Sequence, residues 1–458
     1  MDAGSPQNRD TWGSKTAFIL AAAGSAIGLG NIWGFPTQAG MNGGAAFLVI
    51  YLIAVALIGA PVMLAELMIG RHTMRNPIGA FKMLAPGRSW WLIGAMGVFA
   101  GVIILSFYSV LAGWTMAYIV KAATGAFKAG VDTEAMFTDI SARPLSAISW
   151  HLAFIILTVF VVVGGVRDGI ERWTKVLMPV LLVLLLLLAV RAVTLPGAGT
   201  GLEFYLKPDF SAVTGVVVLS AVGQAFFSLS LGMGAMITYG SYLSKKDELV
   251  TSAAWVTGLD TFIAFLAGLI IFPTMFATGF DATVQGPSMV FVVLPSLLAT
   301  MPPEPYGGLI FGTGFFILLG IAALTSSISL LEVGVTWAVD EKKWPRKKAA
   351  ILLGSMAFLI GIPSALANGA VDWLTHVPGV GMDFLSLLFT IFGSFALIVG
   401  GFFISVFVGW KWGVTAAADE VMATDGRFRL GGIWKLLIRF VCPVALLVIL
   451  IQTLIQTF

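Results

Sequence analysis

Four carboxylates stand where a carboxylate is costly. Glu66, Asp260, Glu332 and Asp383 lie within or at the edge of long apolar runs. An acid at the centre of a bilayer costs about 3 kcal/mol, so it marks either function or a buried partner. Asp260, in TGLDTFIAFLAGL, has no local counter-charge. Glu66 reads either as a ligand or as a cap for backbone broken in another helix. Glu332 and Asp383 lie near helix ends, where water is close. Two of the apolar runs are also interrupted by small residues. The first runs from Ala21 to Asn31 and on through Gly34-Phe35-Pro36; the sixth contains Ser228-Leu229-Ser230-Leu231-Gly232-Met233-Gly234. Close packing through small-xxx-small spacing suffices for either run alone. Their occurrence as the first helix of each of two five-helix halves points instead to a transporter's binding site at a repeat interface. Unwound backbone there offers carbonyl oxygens to a hard cation and N–H groups to an anion. Ser25, Asn31, Ser228, Ser230 and the Thr325-Ser326-Ser327 cluster add oxygens that suit an alkali ion.

The elements that position these residues are membrane helices. The chain has 458 residues, of which 58% are hydrophobic and only 11% charged, with a mean hydropathy of +0.97. An ordinary soluble domain carries about 25% charged residues, so this chain cannot cover a water-facing surface. Eleven apolar stretches are expected, near 14–38, 43–70, 91–124, 146–164, 173–194, 212–240, 250–278, 306–338, 349–366, 379–409 and 433–457. Such lengths suit spanning helices rather than barrel strands. A shorter apolar segment within 279–305, interrupted by Pro287 and Pro295, reads as a hairpin folded back into the outer mouth. One cysteine and three histidines exclude a disulfide framework and argue against a Cys/His metal site. The polar start, MDAGSPQNRDTWGSK, is not that of a cleavable signal peptide.

Charge sets the expected orientation. With the N-terminus inside, 21 of the 26 Lys and Arg residues fall on cytoplasmic segments. That bias places the N-terminus in the cytoplasm and, with eleven spans, the C-terminus outside a cell membrane.

Several motifs in order carry a family resemblance. AAAGSAIGLGNIWGFP at 21–36, NGGAAF at 42–47, GQAFFSLSLGMGAMITYGSY at 223–242 and ALTSS at 323–327 together resemble the neurotransmitter:sodium symporters, and most the shorter, eleven-span prokaryotic members. The resemblance covers nearly the whole chain. It implies an all-α integral membrane protein of the LeuT type. An inverted five-helix repeat (12–194 and 212–409) with broken first and sixth helices would be followed by one further helix at 433–457, all as one transport domain. It also implies two sodium ions. The first would be held by Ala26, Asn31, Ser228, Asp260 and a substrate carboxylate; the second by Gly24, Ile27, Ala322, Thr325 and Ser326. Ser25, Gly28, Leu29, Gly30, Ile104, Tyr108, Phe227, Ser230, Met233, Ser326 and Leu330 would line the substrate pocket, with Tyr108 on the carboxylate and Phe227 as a cover. Arg9, Trp12, Tyr242 and Asp340 match the inner gate, and Asp383 the acid of the outer gate.

The departures from the family pattern carry information. Relatives that carry biogenic amines resemble one another in having Asp where this chain has Gly28, so the substrate here is expected to bring its own carboxylate. The apolar lining then implies a neutral amino acid, imported with sodium by alternating access. The usual outer-gate Arg is replaced by Gly34. Asp260 stands where better-known members have Asn, and Ala264 lacks the serine of chloride-dependent ones. A fixed carboxylate at Asp260 would make chloride unnecessary. Two alternatives stay open: a carrier of another small zwitterion, taurine- or betaine-like, and a channel or a non-transporting amino-acid sensor. Counterflow separates a carrier from a channel, and binding without uptake would mark a sensor. No nucleophile–base set or nucleotide loop suggests an enzyme, and nothing points to a nucleic acid; the expected partners are the bilayer and a small-molecule substrate.

Overall fold

The apolar runs fold as helices throughout. A computed structural model describes residues 10–277, 279, 286–302 and 306–457, and the described residues contain no strand. Nine helices among them are long and apolar enough to cross a membrane: Ala45–Thr73, Trp91–Ala123, Pro144–Val163, Val166–Val193, Leu249–Ala277, Gly308–Lys342, Arg346–Leu366, Phe384–Thr424 and Gly431–Ile455. Two broken spans complete the eleven expected. The first consists of Lys15–Ala26 and Gly30–Met41, which meet at 53°. The sixth consists of Gly215–Ser228 and Ala235–Gly240.

Each break has a local cause. The first half-helix starts where Ser14 Oγ accepts a hydrogen bond from Ala17 N at 3.1 Å and stops where Ile27 turns extended, with ψ 105°. In the sixth span the backbone turns left-handed at Ser230, Gly232 and Gly234, with φ of 52°, 87° and 79°. Glycine adopts that conformation without a Cβ penalty. At Gly232 it is required a second time, because a Cβ would collide with the Leu397 carbonyl of the tenth span. Glu66, fully buried in the second span, accepts a hydrogen bond from Gly232 N at 2.7 Å, so it does cap backbone broken in another helix.

Burial separates core from periphery. The third span (Trp91–Ala123) and the eighth (Gly308–Lys342) each bury 83% of their apolar windows, whereas the last span buries 28%. The first span packs on the seventh and eighth, the sixth packs mainly on the second, and the fourth, fifth, ninth and eleventh present apolar faces outward. The segment Met289–Ala299 between the seventh and eighth spans is a short buried helix, not a span. Phe291 within it stacks on Phe137 at 5.5 Å, and its carbonyl accepts a hydrogen bond from Tyr118 of the third span. The tenth helix runs further than the sequence suggests, because the chain turns at Gly413 (φ 95°) and resumes as Val414–Asp425. Glu420 on that extension accepts hydrogen bonds from buried Arg71 (2.9 Å) and from Lys245 (2.9 Å) and meets His72 at 2.8 Å.

The end of the bundle that carries the N-terminal segment is closed. Trp12 Nε1 donates to the Tyr239 carbonyl at 3.0 Å, and Gly13 N donates to Glu171 at 2.8 Å. Behind them Glu332 is fully buried rather than hydrated at its helix end. It accepts from Tyr242 Oη at 2.7 Å and from two nitrogens of Arg346, at 3.0 and 2.5 Å. Removing one partner of a buried ion pair leaves an uncompensated charge and costs about 3–5 kcal/mol. Arg346→Met should therefore lower the thermal denaturation midpoint of the detergent-solubilised protein sharply. Adding Glu332→Gln to it should recover most of the loss, and a single variant as stable as the parent would contradict the pairing.

Candidate functional site

Three buried polar side chains from three spans converge beside the first break. Asn31 Nδ2 donates to Asp260 Oδ1 at 2.7 Å, to the Asp260 carbonyl at 3.1 Å and to Ser228 Oγ at 3.0 Å. The Ser228 hydroxyl donates to Asp260 Oδ2 at 2.8 Å, and the Tyr51 hydroxyl lies 3.4 Å from Ser228 Oγ. Asn31 and Asp260 are fully buried and Ser228 is 1% exposed. Ala26, also expected at this position, is the buried last residue of the first half-helix. This is a dry, oxygen-rich cluster with one formal negative charge. Such a cluster suits a monovalent cation; a calcium site gathers more carboxylates.

A second group of oxygens lies across the same break. Ser326 Oγ is 3.2 Å from both the Ile27 and the Ser25 carbonyls. Thr325 Oγ1 is 3.1 Å from the Ala322 carbonyl. A Cβ on Gly24 would stand 3.2 Å from Thr325 Cβ, so Gly24 packs directly on that side chain. Gly24 and Ile27 of the first span thus touch Thr325 and Ser326 of the eighth, with Ala322 one turn earlier on the eighth. None of them carries a charge.

The expected substrate residues surround the point where the two breaks face each other. Tyr108 Oη accepts a hydrogen bond from Leu29 N at 3.0 Å. A Cβ on Gly28 would lie 2.7 Å from that hydroxyl and 2.5 Å from Ser326 Oγ. A Cβ on Gly30 would lie 2.8 Å from the Phe227 ring. Ser230 Oγ donates to the Ser25 carbonyl at 3.1 Å. Ile104 lies one helical turn before Tyr108 and Leu330 one turn after Ser326, which sets each on the same face as its partner. Both are buried, as is Met233 in the unwound segment. Ser25 Oγ is buried with no hydrogen-bond partner in the structure. A buried hydroxyl without a partner is costly, and a ligand here would relieve it.

Above this point a cavity of ≈ 450 Å³ opens away from the N-terminal end. Leu29, Gly30, Tyr108 and Phe227 belong to its lining, together with Gly34, Gln224 and Phe389, and none of the described residues that line it is charged. Gln224 Nε2 donates to the Gly30 carbonyl at 2.8 Å, and its amide stands beside the place a side chain at Gly34 would occupy. Phe227 packs edge-on against Phe389 at 5.3 Å. Sequence reasoning did not find Phe389, since an aromatic in an apolar helix carries no signal of its own. Ile449, Gln452 and Thr453 of the eleventh span also line the cavity, and the polar pair Gln452-Thr453 near the end of that span was passed over as a helix end.

The gate residues divide. Trp12 and Tyr242 meet at the closed end, where Trp12 N donates to the Tyr242 carbonyl at 3.2 Å. Asp340 accepts from Asn76 N at 2.9 Å. Arg9 lies outside the described residues. Asp383 does not line the cavity. It caps the helix Phe384–Leu388, accepting from Ser386 N at 2.9 Å and Ser386 Oγ at 2.6 Å.

Known proteins match this chain over nearly its full length. A model of the sodium:neurotransmitter symporter family matches residues 9–136 and 133–458. The chain is 39% identical to the uncharacterized sodium-dependent transporter YhdH of Bacillus subtilis, over 98% of each chain. It is 28% identical to the sodium-dependent serotonin transporter of Drosophila melanogaster, covering 97% of this chain and 76% of that one. The solved structure of MhsT in complex with L-phenylalanine superposes with a TM-score of 0.89 at 46% identity, covering 97% of this chain and 100% of that one. The architecture is therefore the LeuT type. A chain matched over nearly its full length by one family model, with paired breaks in the first and sixth of its eleven spans, belongs to the sodium:neurotransmitter symporter family.

Proposed function

We propose that this sodium-dependent symporter imports a neutral amino acid with an apolar side chain, together with two sodium ions and without a need for chloride. The observation that carries the reading is the position of Gly28 between Tyr108 Oη and Ser326 Oγ. No acid stands there to pair an amine, so the substrate supplies its own carboxylate. The substrate carboxylate meets the Tyr108 hydroxyl and the Leu29 N–H, and one of its oxygens completes the first sodium position. The uncharged lining accepts an apolar side chain. The L-phenylalanine bound by the related MhsT supports that class. The N-terminus faces the cytoplasm, and the cavity above Tyr108 faces outward. Sodium entering down its gradient supplies about 2.3 kcal/mol per charge per 100 mV before any concentration term. Binding of sodium and substrate pulls the two breaks together, Phe227 covers the site, and release follows when Trp12 and Tyr242 part at the opposite end. Uptake of a labelled amino-acid panel into proteoliposomes with an inward sodium gradient tests the reading. Sodium-independent uptake, or binding with no uptake, would refute it.

Three substitutions test its parts. Thr325→Ala with Ser326→Ala removes two of five ligands from a desolvated ion. Sodium-driven uptake should collapse while the protein still reaches the membrane, and unchanged sodium activation would refute the second position. Gly28→Asp puts a carboxylate beside the substrate's own, at a cost of several kcal/mol in a low-dielectric pocket. Amino-acid uptake should be lost, and near-normal affinity for neutral amino acids in Gly28→Asp would show that the carboxylate binds elsewhere.

The third concerns the anion. Tyr51, Gln224 and Ser228 match groups that hold chloride in dependent relatives, but Asp260 already provides a fixed negative charge against Asn31 and Ser228. Replacing chloride by gluconate should leave uptake intact. Asp260→Asn removes the charge and should weaken sodium activation, and added chloride should restore part of it. A strict chloride requirement in the unmodified protein would refute this account.

A further inference from the structure

A second cavity, ≈ 850 Å³, lies on the outer surface of the bundle between the fourth, fifth and ninth spans. It shares no lining residue with the transport site. Its walls are apolar: Leu152, Ile156 and Phe160 of the fourth span, Trp173 and Val176 of the fifth, and Ile351 and Phe358 of the ninth all line it. Ile156, Phe160 and Val176 are 59%, 65% and 60% exposed. On a soluble protein such a groove would be a liability. Here it lies within spans that face hydrocarbon, so it is a groove for a chain rather than for water.

Its polarity is confined to one end. Asp168 and Arg172 line the groove where the fifth span begins. Both are exposed. Among the described residues neither has an ion-pair partner, although they lie four positions apart. On the ninth span Ile351, Ser355 and Phe358 form a stripe at helical spacing, and Lys347 continues it by one turn toward the same end. Lys347 is also exposed and without an ion-pair partner among the described residues. The neighbouring cations are engaged elsewhere: Arg346 with Glu332, Lys175 with Glu171 and Arg167 with Thr11. The rim therefore holds two uncommitted cations and one carboxylate at the end of the bundle where the basic residues gather.

We propose that this groove binds one anionic phospholipid of the phosphatidylglycerol class from the basic-side leaflet. An acyl chain lies along the Ile156–Phe160–Val176–Phe358 wall. The phosphodiester is met by Arg172 and Lys347, and a headgroup hydroxyl donates to Asp168. The rim's single net positive charge matches one phosphodiester. A zwitterionic ethanolamine headgroup, neutral overall, would leave that net charge uncompensated. The segment that carries Asp168 and Arg172 also holds the N-terminal segment, through Arg167 to Thr11 and Glu171 to Gly13. The bound lipid therefore abuts the wall of the closed end.

Native mass spectrometry of the full chain in detergent tests this, with phosphatidylglycerol and phosphatidylethanolamine of matched acyl chains as the probes. One phosphatidylglycerol should be retained in preference. Each basic residue near an anionic lipid surface is worth about 1 kcal/mol, so Arg172→Gln should weaken that retention about fivefold and Lys347→Gln by a similar factor. Arg172 is exposed, and an unchanged gel-filtration profile would show that the variant is folded. Equal retention of the two lipids would overturn the proposal, as would a preference unaffected by Arg172→Gln. Ser355→Cys supplies an independent readout. Efficient disulfide-linked dimers formed whether or not phosphatidylglycerol is present would show that a second copy covers the groove, and would also overturn it.

Discussion

The structure depends on one constraint: backbone opened inside an apolar bilayer has no water to bond. Each unsatisfied N–H or C=O there costs several kcal/mol. Breaking the first and sixth spans opens several such groups at once, and the surrounding side chains answer them one by one. Tyr108 accepts from Leu29 N, the Asn31 side chain from Gly28 N, and Glu66 from Gly232 N. Gln224 donates to the Gly30 carbonyl, Ser230 to that of Ser25, and Ser326 to those of Ser25 and Ile27. Most of these side chains are also the expected ion and substrate contacts. The groups that make an open backbone tolerable are thus the same groups that a cation or a carboxylate would engage. Ser25 Oγ, buried and unpartnered, marks where the match is incomplete without a ligand.

That double duty explains why the site was legible before the fold was seen. A glycine–serine run interrupting an apolar helix is conspicuous in sequence, and so is a carboxylate such as Asp260 with no nearby base. Both signals arise because the membrane forbids them unless they are used. The eleven spans were legible for the same reason. What was not legible depends on contacts between distant segments that break no local rule. Arg346 is one of several basic residues between the eighth and ninth spans, and nothing local marks it as the one that neutralises Glu332 across that turn. Glu420 lay in a stretch read as a cytoplasmic loop, and Gly413 let the chain turn and re-form a helix there. Asp383 was matched to a gate by its place in a motif. The local spacing Asp383-Phe384-Leu385-Ser386 carried a simpler meaning, since Asp is a strong N-cap that accepts from the backbone two or three residues on.

The two ends of the bundle are held by different physics. At the N-terminal end closure rests on charge and directed hydrogen bonds: Glu332 with Arg346 and Tyr242, Glu171 with Gly13 N, and the Trp12 indole with the Tyr239 carbonyl. At the opposite end the described residues of the cavity lining are uncharged, and the Gln224 amide stands beside Gly34. The contacts there are apolar, such as Phe227 edge-on against Phe389. Directed, partly buried contacts tolerate little displacement, because moving one partner leaves the other unpaired. Apolar contacts are non-directional and yield gradually. The N-terminal end should therefore switch between two discrete arrangements, while the cavity end can close by degrees around cargo of differing bulk. Gly34 then has a consistent meaning. With no ion pair at Gly34 to be brought into register, burial of apolar surface sets how far the cavity-side half-helices of the first and sixth spans approach one another.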